Sequence, residues 1–131
     1  MISGFLMEGT DMLGNSVLLS IKDKEASENI MEIIKCFVEK LKPVKIFLFG
    51  SFAAGTNNED SDFDFYIVVD DNRNVADVST EAYKAIRYLR KRPVDIVVGT
   101  KTRFDKYSNS NDTLYVEGEV SRNGKLLYEL N

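Results

Sequence analysis

Two aspartates, Asp62 and Asp64, lie in a segment that otherwise has the composition of a buried strand, DFDFYIVV from 62 to 69. Because alternate side chains of a strand share a face, both carboxylates point the same way, with Cα atoms roughly 6.6 Å apart. Like charges on one face repel each other unless a cation lies between them, and carboxylate oxygens are ligands that Mg²⁺ prefers. The pair therefore predicts a metal site or, in the plainer interpretation, the solvated start of a strand.

A Gly-Ser pair precedes the aspartates. Gly50 and Ser51 follow the apolar run VKIFLF, and residues 52–61 separate Ser51 from Asp62. A glycine at the end of a strand lets another group approach the backbone closely, and the amides of a following helical turn point at an incoming anion. The serine hydroxyl can donate a hydrogen bond to a phosphate oxygen. The pair is therefore either a phosphate-binding corner or a plain turn, and the absence of Gly-Lys-Ser/Thr excludes a P-loop.

A third carboxylate, Asp95, lies inside the short apolar segment PVDIVV. A buried unpaired aspartate is costly, so Asp95 needs a partner. If its strand lies beside the one that carries Asp62 and Asp64, Asp95 can join them. The alternative is an ion pair with one of the nearby arginines, which are Arg87, Arg90 and Arg92.

The composition narrows the chemistry. The 131 residues carry a net charge of −4, one cysteine and no histidine. The absence of histidine excludes Ser-His-Asp triads. The single cysteine excludes a disulfide framework and a cysteine zinc site within the chain. The negative net charge gives no support to general nucleic-acid binding. No apolar stretch approaches a membrane span, and the N-terminus lacks the basic region of a signal peptide, so we expect a cytoplasmic protein.

The pattern around these residues predicts a mixed α and β protein. Helical periodicity covers residues 24–41, 75–90 and 101–107, while branched and aromatic residues indicate strands over 44–49, 62–69 and 94–100. The tail is expected to add a helix and a short extended piece. The link of about a dozen residues between the first two strands favours an antiparallel pair and a mixed sheet over a Rossmann-type sheet. One domain over 1–131 is the simplest account, with residues 1–20 as an extension without an assignment.

Taken together, these residues resemble the pattern of the DNA polymerase β-like nucleotidyltransferase superfamily, and in particular the minimal nucleotidyltransferases of prokaryotes. That pattern is Gly-Ser, about ten residues, Asp-x-Asp, and a third carboxylate on a later strand; it is similar to Gly50-Ser51, Asp62-Phe63-Asp64 and Asp95. The resemblance covers about residues 28 to 131. It implies an α+β nucleotidyltransferase fold, a mixed β-sheet with helices packed on it. Ala54 departs from the pattern, since many members have arginine there.

The resemblance also implies an activity: transfer of a nucleoside monophosphate, AMP from ATP, to a hydroxyl, with release of pyrophosphate. Asp62, Asp64 and Asp95 would be the catalytic residues and would ligate two Mg²⁺ ions, while Gly50 and Ser51 would bind the nucleotide phosphates. Minimal members are often encoded beside a HEPN-domain protein, which implies a toxin–antitoxin pair in which this chain is the antitoxin and modifies its partner. Two alternatives stay open: an enzyme that modifies an aminoglycoside-type small molecule, and a non-catalytic antitoxin that only binds its partner.

Overall fold

The computed structural model of the protein describes residues 20–131. The N-terminal extension, residues 1–20, therefore lies outside the described residues except for Ser20, and the single domain over 1–131 stays a prediction. Within the described part, the helices are α1 (Lys24–Leu41), α2 (Gly50–Ala54), α3 (Val75–Ile86), α4 (Lys101–Tyr107) and α5 (Val116–Asn123), and the strands are β1 (Lys45–Phe49), β2 (Phe63–Val69), β3 (Val94–Thr100) and β4 (Lys125–Glu129). In residues 20–131 no helix combines the length and apolar character that a bilayer crossing requires.

The first helix, α1, has a defined start and stop. The side chain of Asp23 caps its first turn by accepting a hydrogen bond from the backbone N–H of Ala26 at 3.0 Å. The helix ends where Lys42 adopts a left-handed conformation with φ of 50°, and Pro43 follows. These boundaries confirm the helix that the apolar periodicity predicts over 24–41.

The second long helix, α3, is shorter than predicted. The periodicity indicates a helix over 75–90, whereas α3 ends at Ile86 and residues 87–89 form a turn. The carbonyl of Ile86 accepts from the backbone N–H groups of Leu89 at 2.9 Å and Arg90 at 3.0 Å, which closes this turn. The apolar pattern continues through Leu89 because a tight turn keeps that side chain half-buried, so periodicity alone does not mark the helix end.

The four strands form one mixed sheet in the order β3-β2-β1-β4. Strand β1 pairs antiparallel with both β2 and β4, while β2 and β3 run parallel. The short link between β1 and β2 thus joins antiparallel neighbours, as its length predicts. The link between β2 and β3 contains α3, which is the crossover that a parallel pair requires.

The two faces of the sheet are buried differently. On one face, residues such as Phe65 of β2 pack against α1 and α3; the Phe37 and Phe65 rings meet edge to face with centroids 5.6 Å apart. On the other face, α4 and α5 cover a smaller apolar cluster built around Tyr66, Val68, Phe104 and Val120. This second face is the one on which Asp64 lies, since side chains alternate along β2 and Asp64 and Tyr66 are two residues apart.

A buried carboxylate fastens α5 to the sheet. Glu117 is 1% exposed, and its Oε2 accepts hydrogen bonds from the Tyr66 hydroxyl at 2.5 Å and from Arg103 Nε at 3.0 Å. Burial alone would raise the pKa of Glu117, but the hydrogen bonds from Tyr66 and Arg103 outweigh burial and hold it below its ordinary value. Gly99 makes room for the Tyr66 hydroxyl, because a Cβ at that position would overlap it.

We therefore expect Tyr66→Phe to lower the free energy of unfolding by about 1–3 kcal/mol, since it removes one partner of a buried charged group. Urea unfolding followed by circular dichroism measures this difference. Tyr88→Phe is the matched control because Tyr88 is 91% exposed, and it should leave the unfolding midpoint unchanged. Equal midpoints for Tyr66→Phe and wild type would show that the hydroxyl is not a fastening point.

Candidate active site

The sheet topology brings all the predicted site residues to one end of the sheet. The C-terminal end of β1 lies beside the N-terminal ends of β2 and β4, because both pairs are antiparallel, and β3 begins beside β2 because that pair is parallel. Gly50 and Ser51 follow β1 directly, Asp62 comes immediately before β2 rather than within it, Asp64 is the second residue of β2, and Asp95 is the second residue of β3. Residues far apart in sequence therefore meet at one place.

The carboxylates of Asp64 and Asp95 are neighbours on adjacent strands. The two residues are register partners in the parallel β2–β3 pair, so their carboxyl groups lie side by side. Partial burial and the neighbouring carboxylates of Asp95, Asp62 and Glu119 raise the pKa of Asp64 from 3.8 to about 6. A carboxylate with a raised pKa among other carboxylates marks a concentration of negative charge that a cation would relieve.

Asp95 is exposed, which corrects the expectation that it is buried within its strand. The reason is that β3 is the edge strand of the sheet and that α4 and α5 do not cover its face at Asp95. The arginine alternative also fails: among residues 20–131, no arginine forms an ion pair with Asp95. Arg92 instead pairs with Asp23 at 3.4 Å and donates a hydrogen bond to the backbone carbonyl of Ser61 at 3.1 Å.

Gly50 forms the corner beside this carboxylate pair. Its φ is +72°, a left-handed conformation that glycine adopts readily, and a Cβ built there would overlap Asp64 Oδ2. Phe49 is the register partner of Asp64, which explains why the next residue of the chain passes so close. No side chain caps the start of α2, so no N-cap side chain accepts a hydrogen bond from the backbone N–H groups of this turn.

An open cleft of about 490 Å³ adjoins the corner. One wall consists of α2 and the turn after it and includes Gly50, Ser51 and Ala54; the other consists of the end of α5 and the start of β4 and includes Glu119, Arg122 and Lys125. The three charged residues of the second wall were not predicted as site residues from the sequence. Their charge was the only signal, because their position depends on the pairing of β4 with β1.

The donor set suits a hard cation, since Asp62, Asp64 and Asp95 offer only carboxylate oxygens, and partial burial together with the neighbouring negative charges raises the pKa of Asp64. Within the described part of the chain, however, no three acidic, histidine or cysteine side chains already stand in the arrangement of a metal centre. The structure thus brings Asp64 and Asp95 into contact, with Asp62 close enough to affect Asp64. The metal-ligating and catalytic roles of these residues stay predictions.

A protein-family model described as "Nucleotidyltransferase domain" matches residues 30–120, which is more than half of the chain and includes all three aspartates and the Gly-Ser pair. The chain belongs to this nucleotidyltransferase family. The resemblance to the minimal nucleotidyltransferases is confirmed at that level, and with it the assignment of a nucleotidyl-transfer enzyme with an α+β fold.

Solved structures agree on the fold of this nucleotidyltransferase. A candidate nucleotidyltransferase from Sulfolobus solfataricus aligns with a TM-score of 0.51 and 15% identity, over 88% of this chain and 86% of that one. A toxin–antitoxin structure solved with AMP-PNP aligns with a TM-score of 0.50 and 24% identity, over 76% of this chain and 73% of that one. No curated protein matches the sequence significantly.

Proposed function

We propose that this nucleotidyltransferase transfers AMP from ATP to a hydroxyl of a partner protein in the cytoplasm, as the antitoxin of a toxin–antitoxin pair with a HEPN-domain partner. The observation that carries the enzymatic part is the contact of the Asp64 and Asp95 carboxyl groups beside Gly50. Such a cluster of like charges has no structural benefit of its own, and it suits a reaction in which a cation and a polyphosphate meet.

Asp62, Asp64 and Asp95 would hold the Mg²⁺ that this family resemblance implies, two ions being expected. When bound, Mg²⁺ would neutralise the charge that develops on the transferred phosphoryl group and on the departing pyrophosphate. The protein's own contribution is then mainly to position the reactants. Asp64 lies beside Asp95 and against Gly50, so the carboxylate cluster adjoins the Gly-Ser corner where the nucleotide phosphates would bind.

In the reaction, the oxygen of the acceptor hydroxyl bonds to the α-phosphorus. The bond from that phosphorus to the oxygen bridging to the β-phosphate breaks, and pyrophosphate leaves with the electron pair. The acceptor proton must go to a base, and with no histidine in the sequence a carboxylate is the natural acceptor. Asp95 suits this role because it is exposed, so an acceptor from outside can reach it.

Gly50 and Ser51 would bind the β- and γ-phosphates. Ser51 is half-buried and lines the cleft, so its hydroxyl can donate to a phosphate oxygen. We expect Ser51→Ala to weaken ATP binding about three- to tenfold, the usual effect of one lost hydrogen bond. Isothermal titration calorimetry measures this, with Ser79→Ala on α3 as the control, and an unchanged ATP affinity would argue against a role for Ser51.

Two lines of support concern the acceptor. The aligned structure solved with AMP-PNP, an ATP analogue, is a toxin–antitoxin, although that likeness is one of fold. The pattern of Gly50-Ser51 and Asp62-x-Asp64 resembles that of the minimal nucleotidyltransferases, which are often encoded beside a HEPN-domain protein. A non-catalytic antitoxin is the weaker alternative, because it would have no use for adjoining carboxylates.

The test uses ATP labelled on the α-phosphate, with Mg²⁺, in the presence and absence of the product of the neighbouring gene. Label on that protein supports the proposal, and the same mixture with Asp62→Asn should give none. Label on an aminoglycoside-type alcohol instead would replace the protein acceptor by a small molecule. Tight association with the partner and no label on any acceptor would identify a binding-only antitoxin.

A further inference from the structure

The cleft beside Gly50 has an uneven distribution of charge. The residues that α2 contributes to it, which include Ser51 and Ala54, carry no charge. The facing wall contributes two cations, Arg122 and Lys125, and one anion, Glu119. The cleft thus has an excess of positive charge in a protein whose net charge is −4. It lies directly next to the cluster of three aspartates, because Gly50 contacts Asp64 and also lines the cleft.

The two regions that adjoin at Gly50 differ in charge, and each suits a different part of a nucleoside triphosphate. The aspartate cluster is negative and would hold the metal ions at the reacting phosphate. The cleft on the other side of Gly50 is positive and suits the remaining phosphates. If the α-phosphate lies at Asp64, a polyphosphate chain that passes Gly50 and Ser51 enters the cleft. The volume of the cleft is sufficient for such a group, since small-molecule sites usually occupy several hundred Å³.

Arg122 is already oriented. Its Nη1 donates a hydrogen bond to the backbone carbonyl of Ser110 at 2.8 Å, and a Cβ at Gly118 would come within 3.1 Å of the same nitrogen. One hydrogen bond leaves further N–H donors of the guanidinium, which has five. An arginine held in this way loses less conformational freedom on binding a phosphate than a free one would. Lys125 is exposed at the start of β4 and supplies a second, more mobile charge.

We infer that Arg122 and Lys125 bind the β- and γ-phosphates of the nucleotide from the wall opposite Ser51, and that they make the site selective for a triphosphate over a monophosphate. The inference deepens the proposed function and rests on it for the position of the α-phosphate. Both residues lie beyond residue 120, where the family match ends, so the family assignment does not include them.

The test measures the dissociation constants of ATP and AMP by calorimetry, in Mg²⁺, for wild type, Arg122→Gln, Lys125→Gln and the double variant. Each single change should weaken ATP binding roughly five- to tenfold, the double variant more, and AMP binding should stay within twofold of wild type. Arg122→Lys keeps the charge and should restore part of the ATP affinity. Lys84→Gln and Arg87→Gln, exposed cations on and just after α3, are the matched controls and should change neither constant.

The outcomes distinguish this inference from the proposed function. Wild-type ATP binding with no loss in either variant, or equal losses for ATP and AMP, overturns the inference alone. Weakened ATP binding in the variants together with no transfer to any acceptor supports the inference and overturns the transferase proposal. No ATP binding by wild type overturns both.

Discussion

Asp64→Asn should abolish nucleotidyl transfer and at the same time stabilise the protein in the absence of metal. On the activity side, loss of a carboxylate at the proposed metal site should lower the transfer rate by at least about 10²–10³-fold, the effect of removing one strong electrostatic contact from a reacting centre. On the stability side, asparagine removes one of the negative charges that Asp95 and Asp62 repel. A residue kept only for the fold would not show these opposite effects.

The pH dependence of the stability gain follows from the pKa of Asp64. Because the folded-state pKa is about 6 against an ordinary 3.8, the unfolded chain ionises first as the pH rises, and the fold loses stability between about pH 4 and pH 6. Asparagine mimics the neutral carboxyl group, so the variant should equal wild type near pH 4 and exceed it above pH 6. Since Asp64 is only partly buried, we expect a gain of about 1 kcal/mol rather than the full shift.

Urea unfolding at pH 4 and pH 7.5, without divalent ions and with chelator, measures this gain. Asp105→Asn on α4 is the control, since Asp105 is exposed and does not contribute to the raised pKa of Asp64, and it should show no pH-dependent gain. Mg²⁺ should raise the unfolding midpoint of wild type and have a smaller effect on Asp64→Asn. If Asp64→Asn destabilises the protein at pH 7.5, or keeps its metal-dependent turnover, the assigned role is wrong.

The sequence predicts the fold well where local pattern and chain geometry decide it. The apolar periodicity of α1 and the alternating residues of β2 follow from burial of one face, and the short β1–β2 link leaves an antiparallel pair as the simple solution. The register that makes Asp64 and Asp95 neighbours cannot be predicted from the sequence of either strand alone. It was expected only on the condition that β3 lies beside β2, which the structure confirms.

The remainder of the site depends on long-range contacts. Arg122 and Lys125 reach the cleft because β4 pairs with β1 and α5 packs on the sheet, and no local spacing connects them with Gly50. The prediction that Asp95 is buried was wrong for a similar reason: an aspartate among apolar residues indicates burial, whereas an edge strand with a partly uncovered face leaves this side chain exposed. Sequence motifs therefore locate the groups, and packing decides which of them water and ligands can reach.

Gly50→Ala should disable the enzyme through the position of Asp64. The added methyl group would overlap Asp64 Oδ2, so either the corner or the carboxylate must move. A displacement of about 1 Å at a reacting centre is expected to lower the transfer rate by about 10²-fold. The left-handed backbone adds a stability loss of about 1–2 kcal/mol, because an alanine with positive φ is strained.

Gly55→Ala separates these two effects. Gly55 has nearly the same conformation, with φ of +77°, but a Cβ there would meet nothing within 4 Å. Both variants should therefore lose a similar backbone contribution to stability in urea unfolding, while only Gly50→Ala loses transfer activity. Equal activities for the two variants would show that the contact with Asp64 is not needed for the reaction.

A double variant locates the collision itself. In Asp64→Ala the carboxyl group is gone, and the remaining Cβ of residue 64 lies 3.4 Å from a Cβ built at Gly50, which is ordinary contact. Gly50→Ala should then cost only the backbone strain in the Asp64→Ala background and more in wild type. The difference between the two costs, from a double-mutant cycle of unfolding free energies, measures how tightly the corner and the carboxylate are packed. A cycle with no coupling would mean that the corner and Asp64 do not constrain each other in solution.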